Sequence, residues 1–132
     1  MKITADTNIL VRVIVEDDPS QSRIAEHLLA KAGLVALPVT VLCELCWVLG
    51  RTYKWSPADI ARVLRTLTSA DNVALDRQAV EAGLAMLDVG GDFADGAIAY
   101  GGTWLGAETF VSFDQKAVAL LKKQGTKVLL PQ

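Results

Sequence analysis

Residues 2–16 read KITADTNILVRVIVE, and the periodicity changes at one point inside them. KITA (2–5) has the short, half-apolar pattern of a strand, and it runs directly into Asp6. After DTN, the segment NILVRVIVE reads as a helix, with Thr7 or Asn8 placed to cap its free N–H groups. Strand, acid and helix within fifteen residues make up one half of a strand–helix–strand unit. The question for the rest of the chain is whether that unit recurs.

It does. PSQSRIAEHLLAKA (19–32) begins with proline at a helix start, spaces Ile24, Ala25, Leu28, Leu29 and Ala32 along one face, and meets Gly33 as a stop. LVALP (34–38) follows as a buried strand closed by Pro38, and a helix is expected from Thr40 to about Thr52. In SPADIARVLRTLTSA, Ser56 is the N-cap, Pro57 the first helical residue, and Ile60, Val63, Leu64 and Leu67 the apolar stripe. NVALD is a third strand. RQAVEAGLAMLDVGG and GDFADGAIAYGGTWLG are two further helices, ETFVSFD a fourth strand ending at Asp114, QKAVALLKKQG the last helix and TKVLLP a fifth strand. Short apolar strands alternating with helices favour an α/β fold with a largely parallel sheet covered on both faces.

A chain of 132 residues suits one domain, residues 1–132, with a core that needs no staple. Hydrophobic residues make up 52% of it, yet no apolar run reaches the roughly 18 residues that would span a bilayer, so a soluble protein is expected. MKITADTN reaches an acid too early for a secretory signal, which makes the cytoplasm the default. Cys43 and Cys46 lie inside the apolar run VLCELCWVLG, and His27 is the only histidine, so no zinc set can be completed and buried thiols are expected. Net charge is −2. If four clustered carboxylates were screened by bound cations, the remainder would carry +2. Arg12, Arg51, Lys54, Arg62 and Arg65 could then border the cluster or simply form solvated helix surface.

The acids fall where sites form in parallel sheets, outside the carboxyl ends of strands. Asp6 ends the first strand, Glu44 lies about two turns into the helix after the second, Asp95 starts the helix before the fourth strand, and Asp114 ends that strand. Each has a plain reading. Asp92 after Gly91 suits an N-cap, Asp95 three residues on suits the helix dipole, Asp114 suits a cap of the final helix, and Asp6 suits a side-chain turn. Glu44 resists such a reading, because Leu42, Cys43, Leu45, Cys46 and Trp47 surround it in sequence and a carboxylate in apolar surroundings needs a positive partner, either Arg51 or a cation. Oxygen-only ligands point to a hard ion, Mg²⁺ or Mn²⁺, and such ions serve phosphodiester hydrolysis.

ADTNIL, the isolated Glu44 in VTVLCELCWVL, DFADGAIA and TFVSFDQKA occur in an order and spacing that resemble the PIN domain family, and within it the VapC-type toxins of toxin–antitoxin pairs. The resemblance covers essentially the whole chain. It implies a three-layer α/β/α sandwich with a five-stranded parallel sheet, and a Mg²⁺-dependent endoribonuclease working through Asp6, Glu44, Asp95 and Asp114. Asn8 and Ser112 would support these by hydrogen bonds, and Asp92 would assist a second ion. It also implies a homodimer and a small antitoxin protein whose tail enters the acidic groove; Trp47, Trp55 and Val15 are candidates for its apolar docking surface or for core. One departure is the glycine content of the helix after Asp95. Gly96, Gly101 and Gly102 each cost about 0.5–1 kcal/mol relative to alanine, which implies a looser helix.

Other readings fit less well. A haloacid-dehalogenase-like phosphatase needs an acid where Asn8 stands, and a receiver domain wants a lysine ending its last strand, whereas Lys127 begins it. A structure-specific DNA nuclease and a catalytically inactive or RNA-binding PIN-fold module are the remaining alternatives.

Overall fold

The computed structural model describes residues 1–132. The chain divides into two units, Met1–Asp76 and Arg77–Gln132.

In the first unit the order is β1 (Lys2–Thr4), α1 (Thr7–Val15), α2 (Pro19–Lys31), β2 (Leu34–Ala36), α3 (Val39–Arg51), α4 (Pro57–Thr68) and β3 (Val73–Ala74). The strands form one parallel sheet in the order β1-β2-β3, with Ile3 opposite Val35 and Val35 opposite Val73. Each crossover is a pair of helices, the connection that parallel strands require. The core is built where the helical periodicities converge: Leu10 and Val11 from α1, Ala25 from α2, Leu42, Leu45 and Leu49 from α3, Ile60 and Leu64 from α4, and Val35 from the sheet are all buried. Ile24 is not part of it. Although it matches the apolar spacing of α2, it is 66% exposed, and the buried position on that face goes to Ser22, whose hydroxyl donates to the Arg12 carbonyl at 2.6 Å. Asn72 ties the sheet to the end of α2 by donating to the carbonyls of Leu29 and Ala32.

Helix starts follow local chemistry, with two corrections. Ser56 caps α4 through the Asp59 N–H at 3.1 Å, with Pro57 behind it as expected, and Asp18 caps α2 through Gln21 in the same way. The cap position of α1 is Asp6 rather than Thr7 or Asn8, and Thr7 is already helical. Helix α3 starts at Val39, one residue before Thr40, with extended Pro38 before it.

The second unit runs α5 (Arg77–Asp88), α6 (Phe93–Trp104), β4 (Phe110–Val111), α7 (Gln115–Lys123) and β5 (Val128–Leu129), with β4 and β5 parallel. The crossing of α5 and α6 is close because two glycines remove side chains from it. A Cβ on Gly96 would stand 2.2 Å from the Ala82 carbonyl oxygen, and one on Gly83 would stand 2.4 Å from the Phe93 ring. Phe93, Met86, Val80 and Leu84 fill the core around that crossing. Gly96 is therefore a packing residue and not the weakness its helix propensity suggests. Gly101 differs, since nothing lies within 4 Å of where its Cβ would be.

All five expected strands are present, paired in parallel within each unit, in a mixed α/β chain with seven helices. The paired strands are one set of three in the first unit and one set of two in the second, so the single five-stranded sheet that was expected is not shown. NVALD, ETFVSFD and TKVLLP each contribute only two paired residues.

Candidate active site

In the first unit, Asp6 and Glu44 line one open cleft of about 390 Å³, together with Thr7, Asn8, Val11, Arg12, Val48, Thr52 and Tyr53. Asp6 reaches it because β1 ends two residues earlier and the chain turns there into α1. Although it occupies the cap position, its side chain makes no cap hydrogen bond, so the carboxylate is not committed to the helix. Glu44 arrives from α3. The apolar environment read for it from its neighbours is not found. Leu42, Leu45, Cys46 and Leu49 turn into the core, while Glu44 is on the exposed side of the helix and accepts a hydrogen bond from Thr7, whose side chain is buried. Helical geometry separates residues adjacent in sequence by about 100°, and the linear reading overlooked that.

Arg12 stands on the wall of the same cleft, but its guanidinium is paired with Asp17 at 2.5 Å. Asp17 also accepts from the Tyr53 hydroxyl at 3.1 Å. Arg51 lies over the Trp47 ring, 5.8 Å from its centre, rather than against Glu44. Trp47 is 60% exposed, whereas Trp55 and Val15 are half-buried. Lys54 is exposed, at a positive φ of 62° in the turn after α3, and Arg62 is paired with Asp59. Cys46 is buried and Cys43 half-buried, and burial raises the Cys43 thiol pKa, the opposite of what a reactive thiolate needs.

In the second unit, Asp92, Asp95 and Asp114 line a small cleft with Met86, Gly91, Lys116, Ala117 and Leu120. Its volume is about 20 Å³, and one water needs roughly 10–15 Å³. The three aspartates answer the question of cap or ligand differently. Asp114 is a working cap, since its Oδ1 accepts from the Ala117 N–H at 3.0 Å; its own N–H donates to Ser112 Oγ at 3.0 Å. Asp92 holds the cap position of α6 and makes no side-chain cap bond. Asp95 sits in the first turn of that helix, half-buried. Burial raises its carboxyl pKa, and the negative charges of Asp92 and Asp114 raise it further. Like charges gathered in a partly desolvated cleft are an arrangement that a cation relieves.

The donor chemistry of both clefts is oxygen alone, which suits a hard divalent cation. Each set is partial, for no group of three or more His, Cys, Asp or Glu side chains is assembled to hold a metal ion. Sequence reasoning missed Thr7 as the partner of Glu44, Lys116 beside the three aspartates, and the Asp17–Tyr53 pair. Thr7 carried a signal, having been singled out for its hydroxyl, although the hydroxyl went to Glu44 and not to a cap. Asp17 and Tyr53 are 36 residues apart, beyond the reach of any local pattern.

No helix is long and apolar enough to cross a membrane. Compared with protein families, residues 3–121 match the PIN domain. No curated protein matches the chain. PIN domains are generally metal-dependent nucleases, and the metal is usually Mg²⁺.

Proposed function

The chain belongs to the PIN domain family, and from that premise we propose that it is a Mg²⁺-dependent endoribonuclease, the VapC-type toxin of a toxin–antitoxin pair acting in the cytoplasm. The observation that carries the reading is the pair of carboxylate sets, above all Asp95, which is held half-buried against Asp92 and Asp114 with its pKa raised. Burial beside like charges costs stability in itself, and perturbed carboxylates of this kind concentrate at functional sites. That Asp6, Glu44, Asp95 and Asp114 serve one reaction rests on their order in the sequence, which is that of the family motifs.

In this proposal the four acids hold Mg²⁺, with Mn²⁺ able to substitute, and Asp92 assists a second ion. When bound, such an ion lowers the pKa of a water and stabilises charge on the phosphoryl oxygens. The protein's own contribution is positioning. Thr7 fixes the Glu44 carboxylate, Asn8 lines the cleft beside Asp6, and Ser112 holds the backbone of Asp114. Glu44 either joins the ligands or orients the attacking water. Arg12, Arg51 and Lys54 meet RNA phosphates, so affinity falls as salt rises. A second copy of the chain and a small antitoxin protein complete the proposed partners, and exposed Trp47 is a docking candidate.

The test is end-mapping of total RNA incubated with the protein in Mg²⁺ or chelator, beside Asp95→Asn. Discrete new ends that require both the metal and Asp95 are expected. Folded protein that produces none in Mg²⁺ would leave the RNA-binding module of PIN fold as the better reading.

A further inference from the structure

In the first unit's cleft, the side of chemical interest beyond the acids is a three-residue network on its wall. Asp17 binds the Arg12 guanidinium with one oxygen at 2.5 Å and the Tyr53 hydroxyl with the other at 3.1 Å. Arg12 is fixed a second time through its backbone, because its carbonyl accepts from buried Ser22 on α2. Both Arg12 and Tyr53 line the cleft that contains Asp6 and Glu44, whereas Asp17 itself is not among the lining residues. Two long side chains are thus tethered by one carboxylate, and both line the same open space. At about 390 Å³ that space falls in the size range of small-ligand clefts.

We propose that Arg12 and Tyr53, held by Asp17, form a subsite for one nucleotide of single-stranded RNA, with the guanidinium on a backbone phosphate and the phenol ring stacked on an unpaired base. The inference rests on the ribonuclease reading for its substrate class and adds to it the residues that seat the strand. The chemistry is complementary. A guanidinium with one N–H engaged by Asp17 keeps other donors for phosphate oxygens, and an aromatic face accepts any base without reading its edge. Asp17 is a positioning residue: it touches no substrate, and its two bonds set where the other two side chains point. Preorganised side chains lose less entropy on binding than free ones.

The experiment is fluorescence anisotropy of a labelled single-stranded RNA oligonucleotide titrated with the full chain in Mg²⁺, in an Asp95→Asn background, with the RNA checked for integrity afterwards. Tyr53→Leu is expected to weaken binding by roughly ten-fold, as removal of a stacking platform does, and Tyr53→Phe by much less. Arg12→Gln is expected to weaken it and to reduce the slope of log affinity against log salt by about 0.7, the share of a single phosphate contact on a single strand. Asp17→Ala should lose affinity, and Asp17→Asn, which still accepts from the phenol, should recover part of it. Wild-type affinity in folded Tyr53→Leu and Arg12→Gln overturns the subsite, as does a parent protein that binds no RNA. The two readings separate cleanly. Protein that cuts total RNA while these variants bind normally keeps the nuclease and loses the subsite; protein that binds through Arg12 and Tyr53 but cuts nothing does the reverse.

Discussion

Alanine at Gly96 and alanine at Gly101 should act in opposite directions, although both glycines lie in α6. At Gly96 the added Cβ would be 2.2 Å from the Ala82 carbonyl oxygen and 2.8 Å from its carbon. Both are backbone atoms of α5, so no rotamer change relieves them; the helices have to separate by about an ångström or more, given that carbon–carbon contacts prefer roughly 3.5–4.0 Å. Overpacking of this kind costs about 1–3 kcal/mol, and the gain in helix propensity, about 1 kcal/mol, offsets only part of it. At Gly101 the site is open, leaving only the propensity term, a gain of about 0.5–1 kcal/mol. For a chain of this size each kcal/mol moves Tm by about 3–5 °C. Urea unfolding followed by circular dichroism should show a lower midpoint for Gly96→Ala, a higher one for Gly101→Ala and an unchanged slope for both. A Gly96→Ala protein as stable as the parent would refute the close crossing of α5 and α6.

Three further outcomes follow from the carboxylates. Asp6→Asn should leave the melting temperature nearly unchanged, since Asp6 makes no cap bond, while removing most RNA cleavage; parent-like cleavage would remove Asp6 from the site. For Asp95 the folded pKa lies above the ordinary value, so the folded chain binds the proton more tightly than the unfolded one. Stability without metal therefore falls as pH rises from the ordinary carboxylate range through the folded value, and the full penalty applies above it. Asp95→Asn should accordingly melt higher than the parent at neutral pH in chelator and lose the stabilisation that added Mg²⁺ gives the parent, and calorimetry reads both. Asp114→Ala should cost about 1 kcal/mol through the lost α7 cap, whereas Asp114→Asn keeps an acceptor for Ala117. If Asp114→Asn loses cleavage at nearly full stability, the residue has a role beyond capping.

Most of the fold is legible in the sequence because its elements are bounded by strong local chemistry. Pro57 behind Ser56 fixes the start of α4, and the glycines at 90 and 91 separate α5 from α6. What local pattern could not supply is anything decided by a partner distant along the chain. Ile24 has the right spacing for a core residue and is exposed. Gly96 has the wrong propensity for a helix and is required, because the atom it must avoid belongs to Ala82. Among the candidate site residues, position relative to strand ends pointed to one cluster of Asp6, Glu44, Asp95 and Asp114, whereas Asp6 and Glu44 line one cleft and Asp92, Asp95 and Asp114 line another. The state of each carboxylate was not legible. Whether Asp6, Asp92 or Asp114 uses its oxygens as a cap depends on ångström-scale turn geometry, and only Asp114 does.

The cap on Asp114 would also bear on how tightly the proposed metal ion is held. Its Oδ1 is anchored to the Ala117 N–H and its backbone to Ser112, which restricts the side chain before any ligand arrives and leaves Oδ2 outside the cap bond. Immobilising a free side chain on association costs about 0.5–1.5 kcal/mol; for this residue that cost was met when the chain folded. If Asp114 holds the proposed ion, cation affinity and the integrity of α7 become two readings of one rotamer, and a denaturant that frays the helix should weaken the ion before the chain unfolds.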